Sequence, residues 1–347
     1  MKNSVIQVID EQEKLTALSN RRLKVESLPP FKLFWSIDRI TLVGTLKSFN
    51  FEIDRFVNAD GEILFEASDY TRFGHNMELP QAMAILESFR GAIKVKNDGS
   101  WNLVDKFGEN IAYVEILPFA DDEGNEKGRI DFNPNKIQEF LKTDLTSFIK
   151  LVLDRPHFSR ADIACDIYDL PDDYVMQYRV ADPVSFRPYY GKGGKLETAY
   201  WGARSSERQI RLYNKRLEQS KKKQACYYDF WWRLELQLRR SKADIWTETV
   251  YQTLDSFYSP LFFPLETKTT DKAMILGLHS DPSLFSELSK KTRLKYRNLM
   301  KKMAREDELT QHLKSSFSES VADLKKELES WLGLIEVEEA SEHTIVK

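Results

Sequence analysis

Cysteine is scarce: Cys165 and Cys226 are the only two in 347 residues, and no Cys-x-x-Cys pair occurs. That excludes a disulfide framework and a cysteine-bound zinc site. Cys165 lies between Ile163 and Ile167 at strand spacing and reads as a small buried apolar residue. The five histidines, His75, His157, His279, His312 and His343, form neither a His-x-His nor a His-Glu-x-x-His pair, which argues against a histidine-bound zinc. Apolar runs such as Leu261-Phe262-Phe263 fall far short of the ~20 residues that a membrane helix needs. Residues 1–22 mix charges with scattered apolar residues and show no signal-peptide core, so a cytoplasmic location with no membrane partner is expected. The glycine-rich Gly191-Lys-Gly-Gly-Lys195 lacks the spacing of an ATP-binding loop and is expected to be a hairpin turn. A net charge of −3 excludes a uniformly cationic surface, so any nucleic-acid contact must come from local basic patches.

What is present is the composition of a globular chain, 41% hydrophobic and 30% charged. The polar stretch 1–30, closed by Leu28-Pro29-Pro30, reads as a mobile N-terminal arm. Trp35, Ile37, Ile40, Leu42 and Val43 predict a mostly buried strand between Phe34 and Leu46. Three- and four-residue steps through Met83, Leu86, Phe89 and Ile93 predict a helix over 80–92. A short alternating strand is expected over 129–133, followed by a helix with Ile137, Phe140 and Leu141 on its buried side. Clean alternation predicts three further strands, over 160–168, 209–215 and 233–239. Strands and helices mixed without a regular strand–helix–strand repeat favour an α+β fold with a largely antiparallel sheet. A catalytic unit over 31–265 is expected. It would be followed by a helical basic region over 266–335 and an acidic tail over 336–347. Within that region the helix predicted over 286–305 is strongly basic. The last helix carries a stripe of Phe317, Val321, Leu324, Leu328 and Trp331.

The chemistry lies in the three alternating strands. Side chains two apart share a face of a strand. Arg160, Asp162, Ala164 and Asp166 therefore point one way, and Ile163, Cys165 and Ile167 the other. Two carboxylates on one face around a small alanine suit a hard divalent cation such as Mg²⁺ or Mn²⁺. A solvated face with an arginine salt bridge is the alternative. Glu235, on the polar side of its strand, would add a third carboxylate if the strands adjoin; a plain exposed glutamate is the other reading. On the remaining strand Gln209, Arg211, Tyr213 and Lys215 share a face. A tyrosine between two cations suits attack on a phosphodiester, since positive charge favours the phenolate and stabilises the phosphorus oxygens. An ordinary sheet-edge tyrosine fits the same pattern.

Taken in order, several segments resemble the Rep_trans replication initiators of staphylococcal rolling-circle plasmids, from about Trp35 to Trp331. They are Gly128-Arg-Ile-Asp-Phe-Asn-Pro-Asn-Lys136, Phe158-Ser-Arg-Ala-Asp-Ile-Ala-Cys-Asp166, Glu197-Thr-Ala-Tyr-Trp-Gly-Ala-Arg204, Ser206-Glu-Arg-Gln-Ile-Arg-Leu-Tyr-Asn-Lys215 and Trp232-Arg-Leu-Glu-Leu-Gln-Leu238. The resemblance implies an HUH-like nickase architecture without the histidine pair. It implies a homodimer that binds the plasmid double-strand origin, nicks one strand through a 5′-phosphotyrosine and works with a PcrA-type helicase. Tyr213 would be the nucleophile with Arg211 and Lys215 beside it, and Tyr200 a secondary candidate. Asp162, Asp166 and Glu235 would hold Mg²⁺ or Mn²⁺, with Asp131 as a further candidate. Origin specificity would lie near residues 280–288, and Lys290, Lys291, Arg293, Lys295 and Arg297 would contact DNA. A conjugative relaxase or a phage initiator would use the same chemistry. A non-catalytic DNA-binding regulator on the same fold is the rival of a different kind.

Overall fold

The computed structural model describes residues 28–46, 100–104, 110–140 and 153–332 except 183. It also describes the isolated positions 146 and 149 and three short strands between 55 and 95. The strands are β1 (Lys32–Leu46), β2 (Arg55–Val57), β3 (Ile63–Glu66), β4 (Ala92–Val95), β5 (Ser100–Val104), β6 (Asn110–Ala120) and β7 (Glu126–Phe132). They continue with β8 (Leu153–Tyr168), β9 (Arg179–Val180), β10 (Phe186–Tyr190), β11 (Leu196–Trp201), β12 (Arg208–Asn214), β13 (Trp231–Arg239) and β14 (Phe257–Tyr258). Helix α1 is Pro134–Phe140, α2 Asp172–Val175, α3 Lys215–Lys221, α4 Ser241–Asp244 and α5 Trp246–Leu254. The C-terminal helices are α6 (Thr269–Ser280), α7 (Leu284–Glu287), α8 (Lys290–Glu306) and α9 (Glu308–Trp331).

Ten strands form one sheet in the order β10-β11-β12-β13-β8-β1-β7-β6-β5-β4, and every pair is antiparallel. The α+β expectation holds. Alternation explains the sheet's sidedness. Ile163, Cys165 and Ile167 of β8, Leu234, Leu236 and Leu238 of β13, and Ile210 and Leu212 of β12 all bury on one face. Each such side chain contributes about 1.5–3 kcal/mol when fully buried.

Helix α9 covers that face, with Phe317 against Trp35 at 4.8 Å and Trp331 against Phe132 at 4.8 Å between ring centroids. Its N-cap is Asp307, whose carboxylate accepts from the Thr310 amide at 2.9 Å and from the Tyr178 hydroxyl at 2.8 Å. Although it lies in the region after residue 265, α9 completes the main core. A smaller core forms where Ile275 and Leu278 of α6 meet Tyr296, Met300 and Met303 of α8 against Tyr258.

The basic helix begins later than its periodicity suggested, because Ser289 caps α8 by accepting from the Thr292 amide at 3.2 Å. The segment Gly191–Lys195 is the expected hairpin turn between β10 and β11, closed by the Gly191 amide on the Lys195 carbonyl at 2.9 Å. Residues 1–27 of the arm, the acidic tail and residues 80–91 of the helix expected over 80–92 lie outside the described residues; Ala92 opens β4 instead.

Candidate active site

The second face of the sheet is polar across its middle strands. In β1 the apolar phase slips from Trp35 and Ile37 to Ile40 and Leu42, and the pairing with β8 shifts register between Ile37 and Arg39. Such a bulge places two successive side chains on one side. Asp38 and Arg39 both serve the polar face as a result. On β8, Asp162 pairs with Arg39, while on the other side the small Ala164 pairs with Glu235 of β13 and Asp166 pairs with Arg233. On β12 Arg211 pairs with Glu235, and Tyr213 pairs with Arg233.

Buried charge dominates here. Asp162 is 1% exposed, Asp166 3% and Glu235 3%. Arg233 donates to both Asp166 oxygens at 2.7 and 2.6 Å and reaches across β8 to Asp38 Oδ1 at 2.6 Å. Trp231 adds a third bond to Asp166 at 2.7 Å. Arg160 holds both oxygens of Asp162 at 2.8 and 2.5 Å. Burial nevertheless pushes Asp162 up to about 7, opposed by Arg160 and reinforced by the charges of Glu235 and Asp38. Glu235 accepts one bond from Gln237 at 2.7 Å and lies 3.5 Å from Arg211. Burial raises its carboxyl, and the nearby charge of Asp38 raises it further.

Tyr213 sits in the row beside this cluster and is 3% exposed. The Arg211 guanidinium lies 3.7 Å from its ring centre, and Lys215 Nζ lies 3.4 Å from its hydroxyl. The local sequence explains the arrangement. Asn214 ends β12 and caps α3, its side chain accepting from the Leu217 amide at 2.9 Å. Lys215 therefore belongs to a helix, where a strand residue was expected, and it returns to the phenol while pairing with Glu218 at 2.5 Å. Positive charge nearby does favour the phenolate, as expected, but burial outweighs it. Burial raises the phenol above its ordinary value, and the charge of Arg233 offsets only part of that.

Two further expectations about ligands change. Among the described residues no three Asp, Glu, His or Cys side chains group closely enough to hold a metal ion, so Asp162, Asp166 and Glu235 form no ready-made cage. The reason is neutralisation from within, since arginines occupy both oxygens of Asp162 and of Asp166. Asp131 is taken as well, by Arg39 at 2.6 Å and Thr41 at 2.6 Å.

The matches with known proteins fall on this same framework. Residues 179–273, which include β10 to β13, match the model of the Rep_trans family, replication initiation factor. A replication initiation protein of Staphylococcus aureus is 29% identical over 324 residues, covering 91% of this chain and 90% of the relative. Another from the same organism is 32% identical over 227 residues, covering 64% of this chain and 68% of the relative. The chain belongs to the Rep_trans family. A solved structure of a rolling-circle replication initiator protein from Geobacillus stearothermophilus is also similar, at 16% identity and a TM-score of 0.41. It covers 72% of this chain and 96% of that one.

Within this Rep_trans chain, sequence reasoning missed Asp38 and its pairing with Arg233. The signal was present as the phase slip between Ile37 and Ile40. Tyr200, the secondary candidate, pairs with Arg211 from β11, is half-buried and lines an open cavity. The basic helix stands elsewhere, against β14 and α6. Lys290 and Lys291 are exposed on it, Arg293 and Arg297 half-buried, and Lys295 pairs with Asp271 at 2.6 Å. No helix among the described residues is long and apolar enough to cross a membrane.

Proposed function

We propose that this chain is a DNA nicking–closing transesterase that starts rolling-circle replication of a plasmid, with Tyr213 as nucleophile. The observation that carries the reading is the Tyr213 hydroxyl beside Lys215 Nζ, under the Arg211 guanidinium and one strand from Glu235. In the reaction the Tyr213 oxygen attacks the scissile phosphorus in line. The bond to the 3′-oxygen breaks and the phenolic proton ends on that oxygen. The products are a 5′-phosphotyrosine and a free 3′-hydroxyl that primes synthesis. The phosphotyrosine retains the phosphodiester linkage, so closure needs no ATP. Arg211 and Lys215 stabilise charge on the non-bridging oxygens.

A hard divalent ion, Mg²⁺ or Mn²⁺, would be held by Glu235, which Arg211 approaches only to 3.5 Å, together with the Asp38 oxygen that Arg233 leaves free. Two carboxylates suffice for Mg²⁺ where a substrate phosphate and water complete the shell. Such an ion would polarise the phosphoryl oxygens. The partners implied by family resemblance are the double-strand origin, a second copy of the chain and a PcrA-type helicase. Origin contact by Lys290, Lys291, Arg293, Lys295 and Arg297 belongs to the same proposal. A phosphate-binding role for them is consistent with the exposure of Lys290 and Lys291.

Supercoiled plasmid carrying the cognate origin, incubated with the protein and Mg²⁺ or Mn²⁺, should yield open circles and a protease-sensitive DNA adduct. Tyr213→Phe should yield neither while still binding the origin. A second reading makes Tyr200 the nucleophile, favoured by its greater exposure. Adducts retained in Tyr213→Phe and lost in Tyr200→Phe would transfer the role. A chain that binds the origin without forming an adduct would be a regulator.

A further inference from the structure

The polar face continues past Glu235 into a cavity of about 660 Å³ that no carboxylate lines. Five arginines surround it: Arg39, Arg160, Arg187, Arg204 and Arg239. Two of them are compensated, Arg39 by Asp131 and Arg160 by Asp162. Arg187, Arg204 and Arg239 have no carboxylate partner among the described residues, and Arg187 and Arg204 are exposed. Arg239 spends its guanidinium on two neutral acceptors, the Ser206 carbonyl at 3.3 Å and the Gln237 side chain at 3.0 Å. The crowding is energetic as well as geometric. Burial lowers the Arg239 guanidinium, and the charges of Arg160, Arg204 and Arg39 lower it further against the opposing pull of Asp162. Cations gathered in excess of the carboxylates beside them favour an anion.

The backbone supplies Arg204 deliberately. Gly202 turns the chain between β11 and β12 at φ +91°, and a Cβ there would lie 2.7 Å from the Arg208 carbonyl. Its own carbonyl accepts from the buried Gln209 side chain at 3.0 Å, which locks the turn over the cavity. Two aromatic rings share the lining, Tyr189 and Tyr200, edge to face at 5.7 Å between centroids, with Tyr189 54% exposed.

We propose that this cavity binds single-stranded DNA next to the scissile phosphate, its arginines taking backbone phosphates and Tyr189 and Tyr200 taking base faces. This rests on the nicking reading and deepens it. The cavity and the nucleophile share β12: Gln209 on the cavity wall stands four residues before Tyr213, roughly 13 Å at the rise of a strand. Arg211 lies between them on the same face and also lies 5.7 Å from the Tyr200 ring centre. A strand threaded along this row meets cation, ring and cation before it reaches the phenol. Alternating positive charge and π surface is the recognition mode of unpaired strands, whose bases expose their faces; a duplex hides them.

The test measures anisotropy of a fluorescent oligothymidylate on the full chain carrying Tyr213→Phe, so that no covalent adduct intrudes. Adding Arg187→Ala and Arg204→Ala together should weaken binding about tenfold or more and flatten the salt dependence by about 0.7 per arginine. Lys325→Ala with Lys326→Ala, both exposed on α9, serves as the comparison and should leave oligothymidylate affinity unchanged. Unfolding midpoints in urea check that the exposed arginine changes leave the fold intact. Unaltered oligothymidylate binding in the double arginine variant overturns the proposal, as does an equal loss on a blunt duplex. The parent's adduct assay separates the two readings. An adduct with unaltered arginine-variant binding removes the cavity's role alone. Weakened binding with no adduct in the parent removes the nicking reading and leaves the cavity a strand-binding site.

Discussion

The two faces of the central sheet are made by the same strands and are almost equally dry, yet they obey different physics. On one face Ile163, Cys165, Ile167, Leu234, Leu236 and Leu238 have no exposed surface and belong to the core that α9 completes. On the other, Asp162, Asp166 and Glu235 are buried to within a few per cent of that limit. Apolar burial stabilises wherever it occurs. Buried charge costs several kcal/mol per ion and is held only by close partners. Arg233, set between Asp166 and Asp38 beside the buried Tyr213, is the partner that holds the charge of this face.

The sharpest way to break this contrast is at Tyr213. Replacing it by Phe should cut adduct formation at least about 10³-fold with little change in unfolding midpoint. An equal fall in stability and activity would make the residue a packing element like its neighbour Leu212. Next in size is Arg233→Met, which leaves Asp166 and Asp38 uncompensated and should cost about 3–5 kcal/mol in urea unfolding. The double change Arg233→Met with Asp166→Leu should regain much of that loss, because it removes the stranded charge along with its partner. If the double variant is as unstable as the single one, the polar face owes its order to something other than the pair. On the apolar face, Ile163→Val should cost about 0.5–1.5 kcal/mol and leave the pH profile of nicking unmoved. A shifted profile would mean that the two faces are coupled through β8.

The smallest effect concerns the lesser core. Burial, then the charge of Arg179, lowers His279 from 6.5 to about 4. The unfolded chain therefore takes up a proton that the folded chain refuses between those values. This contribution to stability is complete above pH 6.5 and is lost as the pH falls toward 4. The midpoint temperature should drop by less in His279→Gln than in the parent on moving from pH 7 to pH 5, by a few degrees at most. Parallel slopes would show that His279 is hydrated in the folded chain.

Much of the polar face was legible before any coordinates. Alternation assigned Asp162, Asp166, Arg211, Tyr213, Arg233 and Glu235 to one side of their strands, and the pairing of β8, β13 and β12 brings those sides together. What the pattern does not carry is who neutralises whom. Arg160 claims Asp162 on its own strand, and Arg233 claims Asp166 on the next, which left Glu235 to face Asp38 from a strand whose bulge had not been read. Arg187 and Arg204 were invisible for a related reason. Neither lies in an alternating run with a chemical partner in sequence, and only the Gly202 turn and the β10–β11 pairing bring them to one cavity.

Sequence by itself determined the local choices in this protein. Period-two alternation chose strands and their sides, Asn214 and Ser289 chose where helices begin, and glycines chose the turns. Tertiary structure decided the electrostatics: the raised phenol of Tyr213, the satisfied and unsatisfied carboxylates, and the uncompensated arginines. The division follows from range. Backbone preference and facing are set by adjacent residues, whereas desolvation and charge pairing depend on groups brought close from as far apart as Asp38 and Arg233.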